Sequence, residues 1–325
     1  MFWCFAAGFD HMGNAYDASA APKTTAVAVV QVVAVVVDVR MSPPYNHPMS
    51  PASTGIAGSL VGQGKEPRYG GEMTLREAAS AIEMVPAAGS GRRFEVTRRV
   101  RLGDATPNGR ARLDALARYL QDVANDDSRD AEWSDPHWWV VRRTVVEVVR
   151  FPVYLEEMRI VTWCGGIGSH WAERRTSIVS AEGEHLVEAA ALWVHVDRET
   201  LQPSRVPADV ADVLADSSGG RIVGARLSLK GSHLPVATDR STWVSRFSDF
   251  DAVGHMNNAA YWEVVEERLA LDRSLRAPLR AVVEHVAQVE PGESLTCAVA
   301  SSPGEVSVLL EVEGSLRAVA WCGAR

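Results

Sequence analysis

Residues 248–262 read SDFDAVGHMNNAAYW. A short alternating run, 241–247 (STWVSRF), leads into them as a half-buried strand would. The stretch from Ser248 to Met256 carries Asp and Gly in the manner of a turn-rich loop. Residues 257–270 (NNAAYWEVVEERLA) then read as a helix, with Asn257 or Asn258 as its N-cap. Four strand-like runs follow, at 280–289 (RAVVEHVAQV), 294–300 (SLTCAVA), 305–312 (EVSVLLEV) and 315–322 (SLRAVAWC). The order is strand, loop, helix, then an antiparallel meander.

Upstream the same order occurs once more. Residues 94–101 (FEVTRRVR) alternate like a strand, and 102–110 hold Gly103, Asp104, Pro107, Asn108 and Gly109. Residues 112–124 (RLDALARYLQDVA) set Leu113, Leu116, Leu120 and Val123 on one helical face. Strand-like runs come next at 139–149, 157–163, 171–179 and 186–196, and 202–214, with Pro203 and Pro207, closes the unit. The helices match at an offset of 145, Gly109 to Gly254, Leu116 to Tyr261 and Leu120 to Val265. The strands after them match at 137, Glu147 to Glu284. This is an internal duplication. A unit of this size cannot bury both faces of its sheet alone. Curving each sheet around its helix and pairing two such sheets solves the problem.

The 325 residues fit about two domains at ordinary globular composition, with 46% hydrophobic and 23% charged residues. A net charge of −8 argues against a general nucleic-acid binder. Cys4, Cys164, Cys297 and Cys322 include no C-x-x-C pair, so reduced thiols in a cytoplasmic protein are expected. Residues 1–83 differ from the rest: 12 are charged, against 62 of the remaining 242. Their apolar run at 24–37 is shorter than the roughly 20 residues of a membrane span. Residues 1–83 therefore read as a disordered or non-domain extension, or Met84 as the true start. GSLVGQGK at 58–65 only imitates a phosphate loop, because Glu66 stands where Ser or Thr belongs.

Chemistry concentrates in the 248–262 junction. Asp251 and His255 lie four residues apart in a loop that feeds a helix. A helix start offers unpaired N–H groups and partial positive charge, suited to a carbonyl oxygen that gains negative charge. Asp251 is the candidate to activate water, and His255 to orient it or protonate the leaving group. Thioesters suit such a site, since thiolate leaves well and no metal or cofactor is required. As a bare pattern, D-x-x-x-H also fits an ordinary turn. Asp249 reads as a turn residue, and Glu263, Glu266 and Glu267 as solvated or capping charges.

The full string resembles the acyl-acyl-carrier-protein thioesterases, whose pattern S-D-x-D-x-N-x-H-V-N-N-x-x-Y it follows. FPVYLEEMRIVTW and LWVHVDRETLQPSRVP resemble tracts of that family's first half. The resemblance spans about 92–325. It implies an α+β fold of two tandem hotdog domains, each an antiparallel sheet wrapped around a central helix. Their expected limits are 92–214, non-catalytic and holding the acyl pocket, and 235–325, catalytic. It also implies hydrolysis of long-chain acyl thioesters on acyl carrier protein. Asp251 and His255 fall on catalytic positions, and Asn257 and Asn258 on a pair that braces the loop. Two places depart from the plant pattern, the 248–262 string and the 284–289 tract. Val253 replaces an Asn. Along Glu284-His285-Val286-Ala287-Gln288-Val289, which aligns with E-Y-R-R-E-C, Gln288 replaces an acid and Val289 a Cys.

The expected catalytic set is thus Asp251, His255, Asn257 and Gln288, with Asn258, Tyr261 and Gly254 binding substrate. Arg110 and Arg112 stand where His255 and Asn257 stand, so the first copy is expected to be catalytically dead. The expected partner is an acyl carrier protein; nucleic acid, a membrane span, metal and cofactor are not expected. The carrier is acidic, and Arg98, Arg99, Arg101, Arg142, Arg143, Arg174 and Arg175 are candidates for a docking face. The repeat supplies internally what single-hotdog relatives obtain by dimerising, which leaves monomer or homodimer open. Trp138, Trp139, Trp163, Trp171 and Trp193 read as core residues, some lining the acyl pocket. His137, His170, His185 and His195 read as surface or packing residues. The rival functions are acyl-CoA hydrolysis and non-catalytic acyl binding.

Overall fold

The computed structural model describes residues 73–325, apart from 134–137, 198, 201, 231 and 233. Cys4, the 24–37 run, the 58–65 segment and His137 lie outside the described residues. So does the side chain of Trp138.

Each unit begins with an edge strand. In the first, β1 (Arg93–Arg99) leads through a loop into the long helix that follows. That helix is the second of the described chain. A short one, α1 (Leu75–Ser80), precedes β1, and α2 (Leu113–Asp130) follows it. Then come β2 (Trp138–Val148), β3 (Glu157–Ile167), β4 (Trp171–Ser180), β5 (His185–Val196) and α3 (Ala208–Ser217). The second unit consists of β6 (Asp239–Val244), α4 (Tyr261–Leu271), β7 (Leu279–His285), β8 (Ser294–Ser302), β9 (Glu305–Val312) and β10 (Ser315–Ala324). Strand-like runs marked these strands in the sequence; β1 alternates along its length, whereas β4, β5 and β7 are buried almost throughout.

The two expected sheets join into one. The strand order is β1-β3-β4-β5-β2-β7-β10-β9-β8-β6, antiparallel throughout, and its second half repeats the first in reverse. The seam is the β2–β7 pair. Arg143 stands opposite Glu284 across it, and Glu147 opposite Arg280. These two pairs exchange places under the 137-residue offset, as residues across a two-fold interface do. Arg280 reaches Glu147 at 2.6 Å, whereas Arg143 approaches Glu284 only to 3.9 Å. Glu284 instead accepts the backbone N–H groups of Ser228, Leu229 and Lys230 at 2.8–3.2 Å.

Helices α2 and α4 lie on one face of this sheet. Leu116, Leu120 and Val123 of α2 share one core with Val264, Val265 and Leu269 of α4 and with inward strand residues such as Ile160, Val283 and Leu310. Covering that face removes the largest apolar area from water, which drives the association. The opposite face holds Val145, Ala190, Val282, Val319 and Trp321 near the seam, and α1 covers it with Leu75, Ala78 and Ala79. Residues Leu75–Ser80, expected to lie in a non-domain extension, thus form a packed helix instead. Residues 75–82 carry apolar groups at helical spacing, and Thr74 and Glu77 form a capping box at the helix start. Helix α3, unexpected in a segment with two prolines, packs Val210 and Leu214 beside Cys164 and Ala172. Among the described residues no helix is long and apolar enough to cross a membrane.

Candidate active site

The junction at 248–262 closes on itself before α4. Asp251 N–H donates to the His255 carbonyl at 3.1 Å, Gly254 N–H to the Asp251 carbonyl at 3.0 Å, and Asn257 N–H to the Asp249 carbonyl at 2.8 Å. Gly254 has φ +88°, a conformation that a side chain disfavours, so glycine is required at the tip. Asp249 is buried and accepts Arg246 N–H at 2.7 Å, which makes it a turn residue as expected.

This framework holds the half-buried Asp251 carboxylate by both oxygens. Val253 N–H donates to Oδ1 and Asn257 Nδ2 to Oδ2, each at 2.9 Å. The valine at 253 therefore contributes its backbone donor, which any non-proline residue supplies, while its side chain is exposed. Asn257 has a second duty. Its Oδ1 accepts Ala259 N–H at 2.8 Å. It thus caps a turn that precedes the helix, and α4 itself begins later than expected, at Tyr261. Asn258 N–H donates to no group among the described residues.

A neighbouring strand end completes the loop's surroundings. Met256 N–H donates to the Val289 carbonyl at 3.2 Å. His255 Nδ1 lies 3.5 Å from Glu290 Oε2, and Gln288 Nε2 donates to Glu290 Oε1 at 2.5 Å. Glu290 is the residue that sequence reasoning missed. Gln288 stands where an acid was looked for, and the acid that approaches His255 sits two places further on. β7 stops at His285, and Val286 and Ala287 both donate to the Arg317 carbonyl, so the strand's alternation no longer governs 286–290.

The residues expected to bind substrate separate. Asn258 lines a small cavity together with Ala259 and Trp262 of its own junction and Leu120, Gln121, Arg174 and Trp193 of the first unit. Tyr261 does not line it. Its ring is buried and meets His285 edge-on at 4.8 Å, and burial pushes its hydroxyl pKa up, with a Val289 backbone hydrogen bond opposing. Burial, and secondarily the charge of Arg142, pushes the His285 imidazole down to about 3, so that ring is neutral. Gly254 serves the backbone.

Gln121, Arg174 and Trp193 also line a larger cavity of about 460 Å³ between α2 and the first unit's strands. Trp133, Trp139, Trp163 and Cys164 form much of its apolar wall. The size is that of an ordinary small-molecule site. Several expected core tryptophans are therefore cavity walls, whereas Trp171 donates its indole N–H to the Val223 carbonyl at 2.7 Å. Among the described residues no cluster of His, Cys, Asp or Glu could hold a metal ion.

The seven arginines do not assemble a basic face. Arg143 and Arg175 are buried, and Arg174 is held by Asp127 at 2.5 Å. Arg98 pairs with Asp126 and Arg99 with Glu157. Arg142 donates to the Val286 carbonyl at 3.3 Å, and Arg101 alone of the seven is exposed without a charged partner among the described residues. Strand alternation had placed half of these guanidinium groups inward, where they need carboxylates.

Residues 91–214 match the family model described as the acyl-ACP thioesterase N-terminal domain, and 234–317 the one described as its C-terminal domain. The uncharacterised protein Rv2001 of Mycobacterium tuberculosis is 29% identical over 217 residues, covering 66% of this chain and 85% of that protein. An acyl-[acyl-carrier-protein] hydrolase of Cuphea viscosissima, FATB2, is 26% identical, over 56% of this chain and 51% of that protein. Among solved structures, the 12:0-ACP thioesterase of Umbellularia californica superposes with a TM-score of 0.59 at 20% identity, over 73% of this chain and 98% of that one. An acyl-ACP thioesterase of Bacteroides thetaiotaomicron gives the same TM-score at 19% identity, over 71% and 97%. At these identities the likeness is one of fold, and it is the double hotdog.

Proposed function

This chain belongs to the acyl-ACP thioesterase family, whose homologues are thioester hydrolases, and from that premise we propose that it hydrolyses acyl-ACP thioesters at the loop before α4. The observation that carries the reading is the environment of Asp251. Its carboxylate is held at the mouth of a helix start, beside the uncommitted Asn258 N–H and within the same loop as His255. Asp251 accepts a proton from water as that water adds to the thioester carbonyl. The carbonyl oxygen becomes an oxyanion and is met by N–H groups before α4. The C–S bond then breaks, the sulfur takes a proton and leaves as the carrier thiol, and a free fatty acid remains. His255, with Glu290 beside it, is the donor of that proton.

The acyl chain enters the cavity of the first hotdog. The small cavity at Asn258 and the larger tryptophan-walled one share Gln121, Arg174 and Trp193, so the two adjoin, and a chain attached at the α4 start passes between these side chains to the tryptophan wall. Units 92–214 and 235–325 then divide the labour as pocket and catalyst. Docking of the carrier does not require the seven arginines as a face, so reversing Arg101 should change turnover of acyl-ACP and acyl-CoA alike.

The test is free-thiol release from a panel of acyl-ACP and acyl-CoA thioesters, with wild type beside Asp251→Asn and His255→Ala. Turnover of acyl-ACP that both substitutions abolish supports the reading. Faster turnover of acyl-CoA would transfer it to that substrate. Binding of acyl chains without turnover would replace it by a non-catalytic acyl-binding role.

A further inference from the structure

The two hotdogs are copies, so a contact made in one has a counterpart in the other. At the start of α2, Glu266 reaches over from α4. Its Oε2 accepts Leu113 N–H at 3.0 Å, and Arg110 grips its two oxygens at 2.6 and 3.2 Å. The helix offset carries Arg110 onto His255, Leu113 onto Asn258, and Glu266 back onto Gln121. Position 121 is therefore the place from which α2 reaches the start of α4, and Gln121 does share the small cavity there with Asn258 and Ala259.

The two copies differ in what faces the helix start. In the first, an anionic oxygen already sits on the N–H group that α2 presents, and a half-buried guanidinium neutralises it. In the second, the reaching side chain is a neutral carboxamide. Neither that carboxamide nor Asn258 N–H has a hydrogen-bond partner among the described residues. Arg174 lines the same cavity, but Asp127 and Thr162 occupy its Nη1 at 2.5 and 3.3 Å. A substrate oxygen entering here meets the Gln121 carboxamide and Asn258 N–H, with the Trp193 indole N–H, likewise unpartnered among the described residues, on the cavity wall beside them.

We propose that Gln121 contacts the substrate: its Nε2 and Asn258 N–H together receive the thioester carbonyl oxygen, at the point that Glu266 Oε2 marks in the first copy. The proposal rests on the hydrolase reading above. It makes the reaction centre a joint product of both hotdogs, with the proton chemistry from the second and half of the oxyanion hole from the first. It also accounts for an amide at 121. A carboxylate there would fill the hole, as Glu266 does, and repel the charge that develops on the carbonyl oxygen.

The experiment compares wild type with Gln121→Met, which keeps the helix and the side-chain volume, and Gln121→Glu. Thiol release gives kcat and KM. Two inhibitors of equal chain length are titrated: a thioether, which mimics the ground state, and a trifluoromethyl ketone, whose hydrate presents a tetrahedral oxygen. Loss of one oxyanion donor costs about 100-fold in kcat. Gln121→Met should show that loss with KM within about threefold, a similar loss of ketone affinity, and unchanged thioether affinity. Gln121→Glu should be less active still, with melting temperatures close to wild type. Wild-type kcat in Gln121→Met, or equal weakening of both inhibitors, overturns the proposal while the hydrolase reading stands. A wild type that hydrolyses no thioester overturns both.

Discussion

The loops before α2 and α4 share a backbone and differ in almost every side chain that could act. Gly109 and Gly254 have φ +82° and +88°. Thr106 N–H donates to the Arg110 carbonyl at 2.8 Å as Asp251 does to that of His255, and Arg112 N–H to the Asp104 carbonyl at 2.9 Å as Asn257 does to that of Asp249. Even the short helical turns at Leu102–Asp104 and Phe247–Asp249 correspond. Yet Thr106, Arg110 and Arg112 stand where Asp251, His255 and Asn257 stand. Backbone geometry therefore builds a site-shaped place in both halves. In the proposed reaction the chemistry rests on three side chains, and on what the opposite helix extends toward the helix start.

Grafting one loop onto the other should have the largest effect. Asp251→Thr installs the residue of the first copy, which is compatible with the same backbone. It should lower kcat by about 10³-fold, the scale of general-base catalysis, at nearly unchanged melting temperature. Retained thiol release would break the comparison.

Removing the plug of the first copy comes next, and should read as stability. Glu266→Ala strands the Arg110 guanidinium and Leu113 N–H at a mostly buried interface. Breaking one partner of such a pair costs about 3 kcal/mol, measurable by urea unfolding. A cost near zero would mean that Glu266 only decorates the interface.

The strands after the helices sharpen the comparison through pH. Val148 in the first unit corresponds to His285 in the second, and both are buried. Burial holds the His285 pKa at about 3, below its value near 6.5 in the unfolded chain. The unfolded state thus binds more protons between these values. The contribution to stability is complete above pH 6.5 and declines as pH falls toward 3, by about 2–3 kcal/mol at pH 4.5. His285→Val should flatten that decline in melting temperature against pH. Identical slopes in both proteins would place the titration elsewhere.

A smaller loss is expected at Glu290, whose counterpart Val153 carries no charge. Glu290→Gln keeps a hydrogen-bonding group near His255 but removes the ion-pair partner, which is 48% exposed at its side chain. Surface pairs are worth about 1 kcal/mol or less, so kcat/KM should fall by less than about tenfold. A loss as deep as that of Asp251→Thr would make Glu290 a principal acid or base.

Much of this was legible in the sequence. Strands announced themselves as strand-like apolar runs, and α2 by Leu113, Leu116, Leu120 and Val123 at helical spacing. The duplication announced itself by two offsets. Helix α1 was legible too, had Thr74-x-x-Glu77 been read as a capping box before an apolar stripe at 75, 78, 79 and 82. Its low-charge surroundings hid it. The partnership of Glu290 with His255 was not legible, because it depends on where a strand stops pairing, and backbone irregularity has no fixed period in sequence.

The sequence by itself determined the repeat of strand, loop, helix and meander, since this follows from periodicity, and the resemblance of the 248–262 string implied the double-hotdog class and the candidate roles of Asp251, His255 and Asn257. Tertiary structure decided the rest. It joined two sheets at β2 and β7, neutralised the supposed basic face with carboxylates, and set α2 against the start of α4. Glu266 and Arg110 are 156 residues apart and meet at 2.6 Å. Such contacts arise when two amphipathic faces share one core, and no local rule of spacing encodes them.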